Sequence, residues 1–213
     1  MKFLIFFLFS SINLFSQQLA VTIKGDTIEI YDNKTWQKYN SESYKVEEIK
    51  TSVKATVKVD EFTNKRSVST ETGVIFAASK HTTLRGSAYM NETGIISFTL
   101  TLNGDLGCLS KMDSTMMIKL SNGDVVPLTY ISDIDCSNYI TGAWLAITKE
   151  DVNNPNYSEV AEENNELLKN YNWTKIRITG TEHYADLEPK VSRRTEKPQQ
   201  FFREHILALE SKK

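Results

Sequence analysis

The sequence is poor in the residues that announce a reaction. It holds three histidines, His81, His183 and His205, and two cysteines, Cys108 and Cys136, among 213 residues. It contains no glycine-rich phosphate loop, no paired-histidine metalloprotease helix and no Gly-x-Ser-x-Gly elbow, so the usual routes to nucleotide use and hydrolysis lack support. Apolar runs are short as well. Residues 3–9 give way to Ser10, Ser11 and Asn13, whereas a membrane-spanning helix needs about twenty apolar residues. Charge of one sign is also scarce, with a formal net charge of −2. A nucleic-acid partner requires a clustered basic face. The local basic excess at Lys190, Arg193, Arg194 and Lys197 is interleaved with Glu188 and Glu196 and reads as a solvated linker.

What the chain does have begins at its first residues. One cation at Lys2, the apolar run 3–9 and the small or polar residues 16–20 form the three-part pattern of a secretory signal. Cleavage is expected after Ser16, with Ala20 as the other candidate, and no cysteine lies near that junction to carry a lipid anchor. Loss of Lys2 takes the net charge from −2 to −3. The mature chain of about 195 residues suits one domain with a small appendage, no transmembrane span, and a secreted or periplasmic location. In an oxidising compartment two cysteines predict a disulfide. Cys108 and Cys136 stand 28 positions apart, and closing such a loop stabilises by roughly 3–4 kcal/mol. The other readings of the pair are a thiolate activated by a histidine, which no surrounding signature supports, and two buried thiols.

Strand signals dominate the middle of the chain. Residues 19–23, 27–31 and 35–39, separated by the Gly25-Asp26 and Asp32-Asn33-Lys34 turns, predict a small β-meander. Further on, Val53, Ala55, Val57 and Val59 alternate with polar residues, as do Ile96, Phe98, Leu100 and Leu102, then Met116, Ile118 and Leu120, then Ile176 and Ile178. One apolar and one wet face is the mark of antiparallel sheets. Asn122-Gly123 is the strongest hairpin signal, because both residues tolerate positive φ. Pro127, lacking an amide donor, predicts an edge or a bulge in its strand. The fold class expected is mainly β: an antiparallel two-sheet sandwich over 41–190, preceded by the meander at 17–40. An inserted helix near 159–171, capped by Ser158, and a C-terminal helix from Pro198 to Glu210, within the charged tail 191–213, complete it.

The meander residues Gly25, Asp26, Ile28, Ile30, Asp32, Asn33, Thr35 and Trp36 resemble a segment of uncharacterised, exported, β-rich proteins of Gram-negative bacteria. The resemblance covers about a tenth of the chain. It implies export and a bacterial source rather than an activity.

Candidate sites are few. Asp133, Asp135 and Asn138 place oxygen-bearing side chains on one loop, a pattern that suits Ca²⁺ as the sole candidate cofactor, while Asx-turns explain the same residues without metal. Asp151, Asn153, Asn154 and Asn156 form a second such loop. Alternation in 179–186 sets His183 with Thr179 and Thr181, away from Glu182 and Asp186, as an exposed strand residue. Trp36 and the C-terminal stripe Phe201, Phe202 and Ile206 are candidate partner contacts, packing being the other role open to each. Asn33, Asn91, Asn156 and Asn172 begin Asn-x-Ser/Thr triplets, meaningful only in a eukaryotic secretory path. The function expected is a non-catalytic binding or structural module of the cell envelope or exterior, with a protein or glycan partner and an open oligomeric state. The alternative is a secreted hydrolase of an extracellular polymer using paired carboxylates.

Overall fold

The computed structural model describes residues 18–21, 27–30, 36–38, 51–79, 82–111, 113–192 and 195–213. The segment 1–16 expected to be an export signal, His81 and Asn33 lie outside them. The chain forms two compact units, Met1–Ile49 and Lys50–Lys213. In the first, β1 (Gln18–Val21), β2 (Thr27–Ile30) and β3 (Trp36–Lys38) pair antiparallel in sequence order, the meander expected from the two turns.

The second unit carries a ten-stranded sheet. Its strands are β4 (Ala55–Val59), β5 (Arg66–Thr70), β6 (Gly73–Ser79), β7 (Thr82–Met90), β8 (Ile96–Asn103), β9 (Thr115–Leu120), β10 (Val125–Tyr130), β11 (Tyr139–Leu145), β12 (Trp173–Thr179) and β13 (Tyr184–Leu187). The order is β13-β12-β9-β10-β11-β8-β7-β5-β4, with β6 also pairing β7, and the ladders are antiparallel throughout. The ladder runs without a break, so the two sheets expected from the strand count are not separated in the pairing. Two helices, α1 (Tyr157–Asn170) and α2 (Phe201–Glu210), accompany the sheet.

The sheet is strongly curled. The single-turn segment Pro198–Gln200 touches both β6 and β12. Along the order β12-β9-β10-β11-β8-β7-β6 those strands are six steps apart, about 29 Å in a flat sheet, while a three-residue 3₁₀ turn spans only about 6 Å. Coiling brings both within reach of one short turn. Alternate residues of the strands then point inward from several sides: Phe98, Leu100, Leu102, Met116, Ile118, Leu128, Ile176 and Ile178 share one buried cluster. Helix α2 fills it. Phe202 meets Phe98 edge-to-face at 5.1 Å, and Trp173 Nε1 donates to the Pro198 carbonyl at 2.7 Å. Phe201, Phe202 and Ile206, considered above as partner contacts, are therefore core residues, buried to 5%, 2% and 1% exposure. The reason is geometric, since the curled sheet leaves an apolar interior that this stripe covers together with Leu168 of α1.

Several local expectations are refined. The hairpin forms where Asn122-Gly123 predicts it, but only Gly123 takes positive φ, 97°, with Gly123 N bonding Leu120 O and Leu120 N bonding Asp124 O, so the connection is a three-residue loop with glycine at its left-handed position and not a two-residue primed turn. Pro127 lies in an interior strand, yet β11 pairs β10 only at Thr129 and Tyr130, so the proline faces β9 on one side and no ladder on the other. The alternation in β4 is real, but β4 is the terminal strand of the order and Val57 and Val59 stay exposed. Helix α1 begins at Tyr157 with Asn156, not Ser158, before it, and neither caps by side chain.

Two predictions follow from this packing. A Cβ on Gly142 would lie 2.0 Å from the ring of Tyr130, which is fully buried against Trp144. Gly142→Val is expected to cost about 3 kcal/mol by overpacking, read as a lower urea midpoint at unchanged slope. An unchanged midpoint would contradict the Tyr130–Gly142 contact. The second concerns His205. It is 2% exposed, its Nδ1 is 2.6 Å from Thr70 Oγ1, and burial lowers its pKa from 6.5 to about 4. The folded state thus binds fewer protons than the unfolded state between those values, so stability is complete above pH 6.5 and falls as pH drops toward 4. At about 1.4 kcal/mol per unit, the loss is roughly 3 kcal/mol. Asp60, Asp135 and Asp151, held below their ordinary 3.8 by hydrogen bonds, act at lower pH. His205→Gln is expected to flatten the stability profile from pH 6.5 to 4, and a slope that survives the substitution would exclude His205 as its source.

Candidate functional site

Antiparallel order decides which loops meet. The connections β8–β9, β10–β11 and β12–β13 leave the same end of the sheet, and three kinds of bond tie them together. Cys108 of the first is joined to Cys136 of the second by a disulfide, S–S 1.99 Å and Cα–Cα 4.1 Å. Beside it Leu109 and Asp135 exchange main-chain bonds, N to O 2.8 and 3.0 Å. The third loop is held by Thr181 N to Cys108 O at 3.0 Å, by Cys108 N to Thr181 Oγ1 at 2.8 Å and by Glu182 N to Leu106 O at 3.2 Å. Contact is so close that a Cβ on Gly180 would fall 2.3 Å from the Leu106 carbonyl.

This braced end presents apolar side chains to solvent. Ile134, at the crest of the β10–β11 loop, is 67% exposed, and Tyr139, which follows it, is 65% exposed. Tyr184, at the start of β13, carries the Arg177 guanidinium 4.7 Å over its ring. Arg177 and Lys175 both pair with Asp186, whose carboxyl they hold far below the usual range. Such side chains on a rigid scaffold suit recognition, because little conformational freedom is lost on binding.

The oxygen-rich loop serves structure. Both oxygens of Asp135 are occupied, Oδ1 by Ser137 N at 2.9 Å and Oδ2 by Thr141 N at 3.0 Å, and these donors lower its pKa. Asp133 projects fully into solvent toward Lys111, and Asn138 is exposed. Among the described residues no group of three or more His, Cys, Asp or Glu is placed to hold a metal. In the structure Asp135 anchors an Asx-turn and Asp133 forms a surface ion pair with Lys111. The second oxygen-rich loop lies at the opposite end of the sheet, where Asp151 accepts from Thr148 Oγ1 at 2.6 Å and Asn154 Oδ1 from Asn156 N at 2.9 Å.

Other candidates also settle into structural roles. The cysteines are bonded to each other, so neither offers a thiolate. His183 is exposed, but in the turn before β13 rather than within a strand, and its amide bonds the Leu106 carbonyl. Asn91 Oδ1 accepts from Thr93 N, Thr93 Oγ1 and Ile95 N, organising the β7–β8 turn. Trp36 lies on β3, its side chain outside the described residues. Ile134 and Tyr184 were not singled out from the sequence, because an isolated apolar residue in a polar loop leaves no periodic signal.

Compared with family models, curated proteins and solved structures, the chain matches none.

Opening the disulfide tests the bracing. The Cys108→Ser/Cys136→Ser variant is expected to lose roughly 3–4 kcal/mol and to show faster hydrogen exchange at the amides of Leu109 and Asp135. Unchanged exchange there would show that the main-chain bonds hold the loops without the covalent link.

Proposed function

We propose that the protein is an exported binding module that acts at the cell envelope or outside the cell, without catalysis, and engages a protein or glycan through its disulfide-braced loop end. The observation that carries this reading is the conjunction of covalent and main-chain bracing with exposed Ile134 on the β10–β11 loop and exposed Tyr139 at the first position of β11. A rigid loop holding an aromatic and an aliphatic side chain in water costs solvation and is compensated when a partner covers it.

Location rests on three supports. The disulfide belongs to an oxidising compartment. Residues 1–16 carry the pattern of a secretory signal, and the meander segment resembles exported proteins of Gram-negative bacteria. Among the described residues no helix is long and apolar enough to cross a membrane.

The test is retention of the purified, labelled protein on envelope preparations from the cells that make it, alongside the Ile134→Ser/Tyr139→Ala variant. Both side chains are exposed, so the variant should keep its melting temperature. Retention is expected to fall at least about tenfold, the equivalent of 1.4 kcal/mol. Equal retention of the two proteins would remove the loop end as the binding surface.

A further inference from the structure

Strand β4 ends the sheet order, and among the described residues no strand pairs with its outer edge. Main-chain bonds show which residues face that edge. Lys54 O accepts from Glu71 N at 3.0 Å and Asp60 N donates to Lys65 O at 2.9 Å, so Lys54 and Asp60 bond toward β5. In an antiparallel ladder every second residue turns both its N–H and its C=O to the same neighbour, which assigns Thr56 and Lys58 to β5 as well. Ala55, Val57 and Val59 therefore aim their N–H and C=O groups outward.

Natural sheet edges are commonly blunted by a proline, a bulge or a charge. β4 has no proline, and its register against β5 is unbroken. Its charged neighbours Lys54, Lys58 and Asp60 share one face, while Ala55, Val57 and Val59 share the other, where the two valines stay exposed. Laid antiparallel across a two-fold axis at Val57, a second copy sets Val57 opposite Val57 and Ala55 opposite Val59, and the outward groups join in about six main-chain bonds. On the charged face Lys54 then meets Asp60 of the second copy and Lys58 meets Thr56. Sliding the copies by two residues sets Lys54 opposite Lys58 in one direction and Lys58 opposite Lys58 in the other, and like charges in direct opposition destabilise. Larger slides carry most of each strand past the end of the other.

We infer that the protein forms a two-fold dimer through β4, joining two sheets edge to edge in the register centred on Val57. The same surface serves both copies, so the contact closes on itself. β8, β7 and β5 stand between this edge and β11 in the order, and the inference does not rest on the loop-end reading.

Sedimentation equilibrium of the purified protein from about 1 µM to about 1 mM is expected to show monomer and dimer with a Kd of about 100 µM or tighter. Hydrogen exchange at Ala55, Val57 and Val59 is expected to slow as concentration rises, while Thr56 and Lys58, already bonded to β5, hold their rates. Val57→Pro removes an outward N–H and no bond to β5, so it should fold and stay monomeric. Thr56→Glu sets a carboxylate opposite Lys58 of the second copy on both sides of the axis and should tighten the dimer about threefold. The inference is overturned by a monomer at every concentration, by species larger than a dimer, by a dimer that survives Val57→Pro, or by one no tighter in Thr56→Glu. Exchange at Ala55, Val57 and Val59 that is slow at every concentration also overturns it, since the edge is then covered within one chain. If Val57→Pro fails to fold, Thr56→Glu and the exchange rates decide.

Discussion

The burial of one face of α2 inside a curled sheet is the contact on which the second unit depends. A ten-stranded antiparallel sheet with one apolar face must cover that face, and here the chain does so with its last helix. Phe201, Phe202, Ile206 and Leu209 enter a cluster that draws residues from β5 through to β13. Each large side chain contributes on the order of 1.5–3 kcal/mol by leaving water. Entry of the helix also fixes what is polar inside: His205 is carried in with its neighbours and is held neutral, its Nδ1 on Thr70 Oγ1, which in turn accepts from Ala88 N. The core and its acid sensitivity thus share one cause.

Curling has a second consequence at the ends of the strands. Loops from β8, β10 and β12 emerge close enough to be bonded through Cys108, Cys136, Leu109, Asp135 and Thr181. With the main-chain donors satisfied, these loops hold Ile134 and Tyr139 outward. At the other end, α1 and α2 pack against each other over the β7–β8 turn. Beside that contact Asn165 of α1 is buried with its Oδ1 unpaired.

Much of this architecture is legible in the residue order. Alternation located β8, β9 and β12 closely, since a half-buried strand writes its two faces directly into the residue order. Asn122-Gly123 marked its hairpin, because few residues accept that backbone. The cysteine pairing was expected because the chain has only two cysteines behind a segment with the pattern of a secretory signal. Strands β5 and β6 were less legible: Arg66–Thr70 mixes polar residues into a short run, and β6 breaks its register twice against β7. The metal reading of Asp133 and Asp135 shows the same difficulty, for carboxylate spacing does not reveal whether the oxygens face a cation or the backbone amides of Ser137 and Thr141.

By itself the sequence determined much of the local conformation: where the strongly alternating strands run, where the Asn122-Gly123 hairpin turns, and that the class is mainly β and antiparallel. These depend on neighbours a few positions away. Only the tertiary structure decided that the strands join into one curled sheet, that the apolar stripe of α2 faces inward rather than toward a partner, that Gly142 gives room to Tyr130, and that Asn165 is buried without a donor. Those outcomes rest on contacts between residues tens of positions apart, such as Thr70 with His205 or Trp173 with Pro198. Such distances are set by the summed twist and curl of a whole sheet, a quantity no single stretch of residues carries.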